Sequence, residues 1–350
     1  MEKRVLRLCS GLDKAIYDIH AVSLRPTEGE KIDWPEETHH FYPIEPGLNL
    51  GRLLGLSKFM RAGRYDIVHS HNWSTMLYGV LAGRLAKVPV VLHGEHGLNQ
   101  DDWRGVSRKR EAAATVIAHL TTRVVAVNEF IKHQAEERWR LPQSRVVSIP
   151  NGVDLARFLP RARNRSVNSE WIVGTVARFD PIKNLPCIIR GFDLFRRNNP
   201  LLKTRLVLVG DGPLKHEMQA FAANFDCAKD ILFPGETKNP EDWYSQFDAY
   251  INGSFSEGMS NTILEGMACG LPIVASDVPG NRAWLEESVN ALFFESDHPQ
   301  DLARCLTTLA GSPDLTRQMG ETNRRHVEVK YDNREFLIRY HRLYQQLLGE

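Results

Sequence analysis

Short apolar runs alternate with longer amphipathic stretches along most of this chain. The apolar runs are four to six residues long and end at glycine, proline or polar residues, as buried parallel strands do. The stretches between them place their apolar residues at helical spacing, which predicts helices over 50–62, 74–86 and 129–138 among others. Repeated alternation of strand and helix predicts an α/β fold, with a parallel sheet that helices cover on both faces.

The strand-like runs form two series, which predict two doubly wound, Rossmann-like domains. The first series is 18–23, 66–70, 89–93, 123–127 and 145–149, and the second is 171–176, 204–209, 230–233, 248–252 and 272–275. The segment 155–170 between them is basic, polar and weakly periodic, so we expect the domain break there. We therefore assign 1–160 to an N-terminal domain and 161–330 to a C-terminal domain. In the last segment, 331–350, the apolar residues follow helical spacing, which predicts a C-terminal helix. We expect this helix to pack back on the N-terminal domain.

The start of the chain departs from the doubly wound pattern. Met1 leads directly into a helical stretch, EKRVLRLCSGL, whereas such a sheet normally opens with a strand and a glycine-rich turn. We expect the N-terminal domain to lack that first strand and glycine-rich loop, as an internal start codon would produce. The missing turn would ordinarily approach phosphate groups, so its loss would weaken or abolish an activity that needs them.

Composition and charge exclude several classes of protein. The chain has 350 residues, 42% hydrophobic and 25% charged, which excludes wholesale disorder and a coiled coil. A net charge of +1 gives no general attraction for nucleic acid. The five cysteines are widely spaced and form no C-x-x-C, which favours a reducing compartment over a disulfide framework or zinc site. No apolar run approaches the ~18 residues of a membrane span, so we expect a cytoplasmic protein.

The segment 252–281 holds the most informative polar residues of the second half. The run 260–262, Ser-Asn-Thr, offers caps to a helix that follows a strand, and a helix start in that place suits a phosphate. Glu257 and Glu265 flank this start, and carboxylates accept hydrogen bonds from the hydroxyls of sugars and riboses. A purely structural interpretation is equally open, since Thr262-x-x-Glu265 also fits a capping box and Glu257 could be solvated.

Two cations and a glycine turn follow earlier strands of the second series. Arg178 and Lys183 lie in one such turn, where they would clamp a diphosphate and stabilise its developing charge; taken alone, they would be ordinary surface residues. Gly210 and Gly212 form a tight turn into a helix, but Lys215 stands where a dinucleotide fingerprint needs a third glycine. The chain has no Asp-x-Asp, so we expect no metal-bridged diphosphate, no metal site and no cofactor.

Histidines gather at two strand ends of the first half. HSHNW at 69–73 ends one predicted strand, and HGEHG at 93–97 ends the next. Ligands of open α/β sheets bind beyond the carboxyl ends of the strands, so both clusters are expected to line the ligand side of the sheet. Each single histidine is also explained as an ordinary polar residue of the surface or core.

The motifs of the second half resemble those of the retaining glycosyltransferases of family 4, which have the GT-B fold. In the family's order and spacing they are PNGVD at 150–154, GTVARFDPIKN at 174–184, LVGDGP at 208–213, and E-x7-E from Glu257 to Glu265. The resemblance implies two doubly wound domains that face a central cleft. It also implies that Arg178 and Lys183 hold the donor diphosphate, that Glu257 contacts the hydroxyls of the donor sugar, and that Glu265 binds the ribose.

The resemblance extends to the other site residues. It implies catalytic roles for Arg178, Lys183, Glu257 and His96. It implies substrate contacts for Glu265, Gly258, Met259, Ser260, Asn261, Gly210, Gly212, His71, Asn72 and His93. Among these, His96, or in its place His93, would contact the donor sugar, and His71 and Asn72 would lie on the acceptor side.

The implied function is transfer of a hexose, with retained anomeric configuration, from a nucleotide diphosphate sugar to a glycan or lipid-linked acceptor in bacterial surface polysaccharide synthesis. HGEHG with HNW looks like a subgroup of exopolysaccharide-associated transferases. Basic residues at the start of 106–119 indicate peripheral contact with anionic lipid at the inner membrane face, or simply a solvated helix face. Two alternatives stay open: a non-catalytic or truncated nucleotide-sugar-binding protein, and a nucleotide-sugar epimerase.

Overall fold

The structure of the protein is a computed structural model that forms two compact units. It describes residues 2–24, 38–44, 47–97, 105, 107–160 and 170–349, without the side chains of residues 2 and 3. The first unit takes in the described residues up to Gly97, those of Gly105–Asn151 and those of Arg334–Glu350. The second unit takes in the described residues of Gly152–Asn333.

The chain passes from the first unit into the second after Asn151, earlier than the break expected within 155–170. Val153 already belongs to the second unit, because its N–H donates to the Tyr331 carbonyl at 2.8 Å and its own carbonyl accepts from the N–H of Asn333 at 3.1 Å. These bonds join residues far apart in sequence. The local change of composition at 155–170 therefore does not mark the boundary between the units. Part of the expected break lies outside the described residues.

The first unit contains a two-stranded and a four-stranded parallel sheet, with the orders β1-β2 and β3-β4-β5-β6. The strands are β1 (Ala21–Ser23), β2 (His39–Phe41), β3 (Ile67–His71), β4 (Val90–Glu95), β5 (Arg123–Ala126) and β6 (Val146–Ser148). The helices are α1 (Glu2–Gly11), α2 (Leu50–Ala62), α3 (Asn72–Thr75), α4 (Leu81–Ala86), α5 (Arg108–His119) and α6 (Glu129–Arg138). The single helix predicted over 74–86 is interrupted by a π-helical turn, Met76–Val80.

The second unit is a doubly wound parallel sheet of six strands in the order β12-β11-β10-β7-β8-β9. The strands are β7 (Trp171–Val176), β8 (Thr204–Val209), β9 (Ile231–Gly235), β10 (Ala249–Asn252), β11 (Ile273–Ser276) and β12 (Ala291–Phe294). The helices are α7 (Leu185–Asn198), α8 (Lys215–Ala222), α9 (Pro240–Tyr244), α10 (Asn261–Ala268), α11 (Pro279–Arg282), α12 (Pro299–Gly311) and α13 (Pro313–Lys330). The edge strand β12 was missing from the predicted series.

The last helix, α14 (Asn333–Leu348), packs in the core of the first unit. Phe336 and Tyr340 of this helix share one apolar cluster with Leu8 of α1 and Leu92 of β4. The apolar stripe that predicted the helix is therefore the face that it buries. Among the helices that the structure describes, none is long and apolar enough to cross a bilayer.

Candidate functional site

Loops at the carboxyl ends of β7, β8 and β10 are held together by backbone hydrogen bonds. The N–H of Phe179 donates to the Asp211 carbonyl at 2.8 Å, which joins the loops after β7 and β8. The N–H of Phe255 donates to the Ile182 carbonyl at 2.8 Å, which joins the loops after β10 and β7. Residues that are 30 to 80 positions apart in sequence therefore meet at one edge of the sheet, where open α/β sheets bind ligands.

Lys183 and Glu257 form a close ion pair at this edge. The Lys183 ammonium donates to Oε1 of Glu257 at 2.7 Å, and the Glu257 side chain is only 10% exposed. The same oxygen accepts from Ser254 Oγ at 2.7 Å and from Asn252 Nδ2 at 3.2 Å. Glu257 is thus a buried carboxylate held by three donors. The purely structural interpretation of this segment, in which Glu257 is solvated, does not describe it.

The electrostatics keep Glu257 ionised. Burial alone would raise the pKa of its carboxyl group, but the Lys183 ammonium and the hydrogen bonds from Ser254 and Asn252 outweigh burial and hold the pKa below its ordinary value. A carboxylate in this state accepts hydrogen bonds and donates none. It suits ligand hydroxyl groups and opposes an unpaired anion.

Arg178 and Asp180 complete the charged part of the loop after β7. The Arg178 side chain is 44% exposed, and its Nε lies 3.9 Å from Oδ2 of the buried Asp180. Burial raises the pKa of Asp180, against the lowering effect of Lys183 and Arg178. Sequence reasoning missed Asp180, whose only signal was its place between the two cations, directly before Pro181.

The start of α10 is capped by Ser260, whose Oγ accepts from the N–H of Ile263 at 3.4 Å. The interpretation of Thr262 and Glu265 as a capping box is therefore wrong, because the N-cap residue of α10 is Ser260, two residues before Thr262. Glu265 lies inside α10 and is 1% exposed, and one of its oxygens accepts from the Tyr244 hydroxyl at 2.9 Å. Its contact with a ribose stays a prediction, and so do the contacts of Gly258, Met259 and Asn261, which lie beside the cap.

Gly210 and Gly212 have a structural role of their own. Their φ angles are +138° and +153°, in a region that side chains rarely adopt. A Cβ atom on Gly212 would lie 2.6 Å from the Phe179 carbonyl oxygen, and one on Gly210 would overlap the carbonyl oxygen of Ala177. The two glycines therefore let the loop after β8 lie directly against the loop that carries Arg178.

In the first unit, His71 and His96 contact each other at the carboxyl ends of β3 and β4. His71 Nδ1 and His96 Nε2 are 3.0 Å apart. Burial is the main reason that the pKa values of both imidazoles lie well below the ordinary value, and nearby positive groups add to it. Both rings are therefore neutral at neutral pH. Asn72 follows His71 with a φ of +70° and begins α3.

His93 has a different environment from His96. It is 1% exposed, its Nδ1 lies 3.0 Å from the Ser70 hydroxyl, and its Nε2 lies 3.6 Å from a Glu95 oxygen. His96 is more exposed and neighbours His71. The contact of either histidine with a donor sugar stays a prediction.

Arg4 is a buried residue of this region that sequence reasoning missed. It is 1% exposed and donates to the Asn151 side chain at 2.7 Å, to the Ile149 carbonyl at 3.0 Å, and to the Tyr340 hydroxyl. Arg4 contributes to the lowered pKa values of His71 and His96. No local pattern marks Arg4, because its partners lie more than 140 positions away in the sequence.

Comparison with known proteins identifies the family. Residues 1–157 match the family described as Glycosyltransferase Family 4, and residues 170–312 match the family described as Glycosyl transferases group 1. The chain belongs to the family 4 glycosyltransferases. The two matched regions together cover most of the chain up to residue 312 and include parts of both units of this glycosyltransferase.

The relatives named here share between a quarter and a third of their aligned residues with this glycosyltransferase. The UDP-Gal:alpha-D-GlcNAc-diphosphoundecaprenol alpha-1,3-galactosyltransferase of Escherichia coli is 29% identical over 260 residues, covering 69% of this chain and 66% of the relative. A putative glycosyltransferase of Bacillus subtilis, EpsF, is 27% identical over 310 residues, covering 79% of each. A D-inositol 3-phosphate glycosyltransferase of Streptomyces scabiei is 29% identical over 298 residues, covering 77% of this chain. The chain thus spans just under two thirds of the Escherichia coli and Streptomyces relatives, at 66% and 65% of their lengths.

Solved structures confirm the predicted fold class. HepE of Anabaena in complex with UDP-glucose is 16% identical, with a TM-score of 0.76 over 88% of this chain and 86% of its own. Sucrose-phosphate synthase of Thermosynechococcus elongatus is 20% identical, with a TM-score of 0.73 over 93% and 87%. At these identities the likeness concerns the fold alone, and the fold is GT-B, built from two Rossmann-like units.

Proposed function

We propose that this glycosyltransferase moves a hexose from a nucleotide diphosphate sugar to a glycan or lipid-linked acceptor in the synthesis of a bacterial surface polysaccharide. The observation that carries the proposal is the Lys183–Glu257 pair at the carboxyl edge of the second sheet, beside the capped start of α10. It combines a cation for phosphate with an ionised carboxylate for sugar hydroxyls. The lipid-linked sugar in the name of the Escherichia coli relative supports the acceptor class.

The donor diphosphate would bind to Arg178, Lys183 and the N-terminus of α10. Cations and free N–H groups at a helix start stabilise phosphate and the charge that develops on it as the sugar leaves. Lys183 is held by Glu257 at 2.7 Å, so its ammonium is already positioned before a ligand arrives. We propose that these groups replace a bridging metal ion, since the sequence lacks an Asp-x-Asp.

Retention of configuration would follow from the placement of the carboxylates. Retaining glycosidases use a facing acid and nucleophile. Here three donors bond to Oε1 of Glu257, and the Glu265 carboxylate accepts from Tyr244 inside α10. Neither is arranged as a side-chain nucleophile, so we propose transfer on one face of the sugar, with the departing diphosphate close to the incoming hydroxyl.

The first unit would contribute to sugar and acceptor recognition. His96 would contact the donor sugar, and His71 and Asn72 would lie towards the acceptor. A neutral imidazole offers one hydrogen-bond donor and one acceptor, which suits hydroxyl ligands. Arg108, Lys109 and Arg110 at the start of α5 would give the protein a peripheral contact with anionic lipid at the inner membrane face.

Calorimetric titration with UDP, GDP and ADP tests the donor site. We expect one nucleotide to bind selectively and its affinity to fall about tenfold or more in Arg178→Ala and Glu265→Ala, because the first removes a cation proposed to hold the diphosphate and the second removes the carboxylate proposed to bind the ribose. Arg205→Ala is the matched control, since Arg205 is an exposed arginine on β8 that pairs with Glu170 away from these loops. Equal binding in all three variants, or binding of no nucleotide by the unaltered chain, would contradict the proposal.

A further inference from the structure

Asn281 is a fully buried polar residue of the second unit whose side chain the proposed function leaves unexplained. It lies in α11, beyond the carboxyl end of β11, and it is the last residue of the polar segment 252–281. The residue is 0% exposed. Burying an amide costs free energy unless its hydrogen bonds are made, so the partners of Asn281 show what this buried amide does.

The Asn281 amide bonds to the carboxyl ends of two strands. Its Nδ2 lies 3.0 Å from the Ser276 carbonyl oxygen, at the end of β11, and 3.3 Å from Oδ1 of Asn252, at the end of β10. A carbonyl oxygen only accepts hydrogen bonds, so the amide nitrogen of Asn281 must face it. The two strands are paired, with Asn252 opposite Ala275. Asn281 therefore joins the ends of two adjacent strands.

One path of hydrogen bonds leads from Asn281 through Asn252 to Glu257. Asn252 Nδ2 donates to Oε1 of Glu257 at 3.2 Å. An ionised carboxylate only accepts, so the amide nitrogen of Asn252 must face Glu257, and its amide oxygen is left for Asn281. The orientations of both amides are thus fixed, and each donates towards the carboxylate.

A second path leads from Asn281 through Ser276 and Ser254. Asn281 Nδ2 also lies 3.4 Å from Ser276 Oγ, and that hydroxyl donates to the Ser254 carbonyl at 2.6 Å. Ser254 Oγ in turn donates to the same Oε1 of Glu257 at 2.7 Å. Both serines are fully buried, so bulk water does not replace these bonds. The two paths start at one amide and meet at one oxygen.

Gly280, the neighbour of Asn281, packs against the backbone of Glu257. A Cβ atom on Gly280 would overlap the Glu257 carbonyl oxygen, so the two main chains lie in direct contact. The three donors to the Glu257 side chain all bond to Oε1, and among the residues that the structure describes none donates to Oε2. One carboxylate oxygen is therefore held by the protein, and the other is left for a ligand.

We propose that Asn281 is a positioning residue for Glu257, which it holds by Oε1 through Asn252 and Ser254 so that Oε2 meets a ligand hydroxyl. The inference rests on the proposed function, because that hydroxyl belongs to the donor sugar. Asn281 is too deeply buried to touch a ligand, so it acts through the residues that it holds. Its loss leaves the Asn252 amide free to turn, which removes a donor from Glu257 and raises the pKa of that carboxyl group.

The charged and titratable groups near Glu257 stay in place when Asn281 is replaced by another neutral residue. Lys183 and Asp180 approach Glu257 from the loop after β7, and Tyr250 lies on β10. Because the substitution adds and removes no charge, a change in the titration of Glu257 reports on its hydrogen bonds.

Asn281→Ala tests the proposal, with Asn323→Ala as the matched control. Asn323 is also 0% exposed, and its Nδ2 donates to the carbonyls of Leu271 at 2.8 Å and Asn290 at 2.9 Å. These two partners precede β11 and β12, at the amino edge of the sheet, opposite Glu257. The titration of the Glu257 carboxyl group is followed by carbon-13 NMR in the full chain, with its signal assigned by its loss in Glu257→Gln. Calorimetry measures the affinities for a nucleoside diphosphate and for the corresponding nucleotide sugar.

We expect the pKa of Glu257 to rise in Asn281→Ala and to stay unchanged in Asn323→Ala, although both variants lose a buried amide and unfold more easily. The affinity for the nucleotide sugar, relative to that for the bare nucleotide, should fall about threefold or more in Asn281→Ala alone. An unchanged titration of Glu257, or the same shift in both variants, would overturn the proposal. A higher pKa with an unchanged affinity ratio would also overturn it, because the carboxylate that Asn281 holds would then not meet the sugar.

Two further outcomes are decided by the same titration. If Asn281→Ala does not fold, Ser276→Ala removes only the hydroxyl that donates to Ser254, and it should raise the pKa of Glu257 in the same direction. No rise in that variant would overturn the proposal. If the unaltered chain binds no nucleotide sugar, the proposed function fails, and the titration of Glu257 alone decides whether Asn281 positions it.

Discussion

Replacing Lys183 with methionine tests the electrostatics of the proposed donor site. The substitution keeps the length and apolar stem of the side chain and removes the ammonium that lies 2.7 Å from Glu257. Glu257 then stays buried at 10% exposure with Ser254 and Asn252 as its donors. We expect the variant to fold with lower stability and to bind a nucleoside diphosphate at least tenfold more weakly.

The magnitude follows from burial and from the remaining donors. Removing one partner of a fully buried pair costs about 3–5 kcal/mol of unfolding free energy. Lys183 is 26% exposed and two hydrogen bonds to Glu257 remain, so we expect about 1–3 kcal/mol. Lys215→Met is the control, because Lys215 is equally exposed but pairs with Asp211, whose side chain is 44% exposed. A surface pair of that kind contributes about 0–1 kcal/mol.

The pH dependence gives this prediction a sign. The folded-state pKa of Glu257 lies below its ordinary value of 4.5, so the group stabilises the protein above that value and the stability is lost as pH falls through the lower folded pKa. Without Lys183, burial is the largest remaining influence and raises the pKa of Glu257. The variant is therefore penalised most at neutral pH, and its deficit shrinks as Glu257 takes up a proton.

Urea unfolding at pH 7 and at about pH 4.5 measures both effects. We expect the deficit of Lys183→Met to be larger at pH 7 than at the lower pH, and larger than that of Lys215→Met. In the double variant Lys183→Met, Glu257→Gln the deficit should fall short of the sum of the single deficits, because the pair is coupled. Additive deficits within about 0.5 kcal/mol, or a deficit independent of pH, would refute the reasoning.

Three further predictions concern other parts of the structure. Gly212→Ala should lower the free energy of unfolding by about 1–3 kcal/mol, because a Cβ there would lie 2.6 Å from a backbone oxygen and the φ of +153° is unfavourable for alanine. A loss under about 0.5 kcal/mol in urea unfolding would contradict this prediction. Ser260→Ala should cost about 1 kcal/mol through loss of the α10 cap, whereas Ser312→Ala, at a helix start without a side-chain cap, should cost little in the same assay. The pKa of His71 should lie well below the ordinary value of 6.5 because burial lowers it, and NMR titration showing protonation near 6.5 would refute this.

Much of the fold could be predicted because its strands are continuous apolar runs. The predicted bounds of β7 and β8 agree with the structure, as do those of α2 and α6. The strand β2 was missed because His39–Phe41 contains no apolar run. The interruption by Met76–Val80 was missed because a π-helical turn keeps a nearly helical pattern of apolar residues.

The candidate site could be predicted only in part. Arg178, Lys183 and Glu257 stood out because strand ends converge at one edge of a parallel sheet. The residues that hold these side chains in place could not be predicted. Ser254 and Asn252 donate to Glu257 from ordinary positions, and no local pattern marks a polar residue as a buried donor. Such partners are set by tertiary packing, which spacing along the chain does not encode.

The proposed activity is tested most directly by NMR observation of the anomeric proton during turnover. The full chain is incubated with the nucleotide sugar whose nucleotide binds by calorimetry, and with glycan or lipid-linked acceptors. We predict release of the nucleoside diphosphate and a product whose sugar has the donor's anomeric configuration, with little release by Lys183→Met. An inverted product would contradict retention, and tight binding of the donor without any release would show a nucleotide-sugar-binding protein and contradict the proposed transfer.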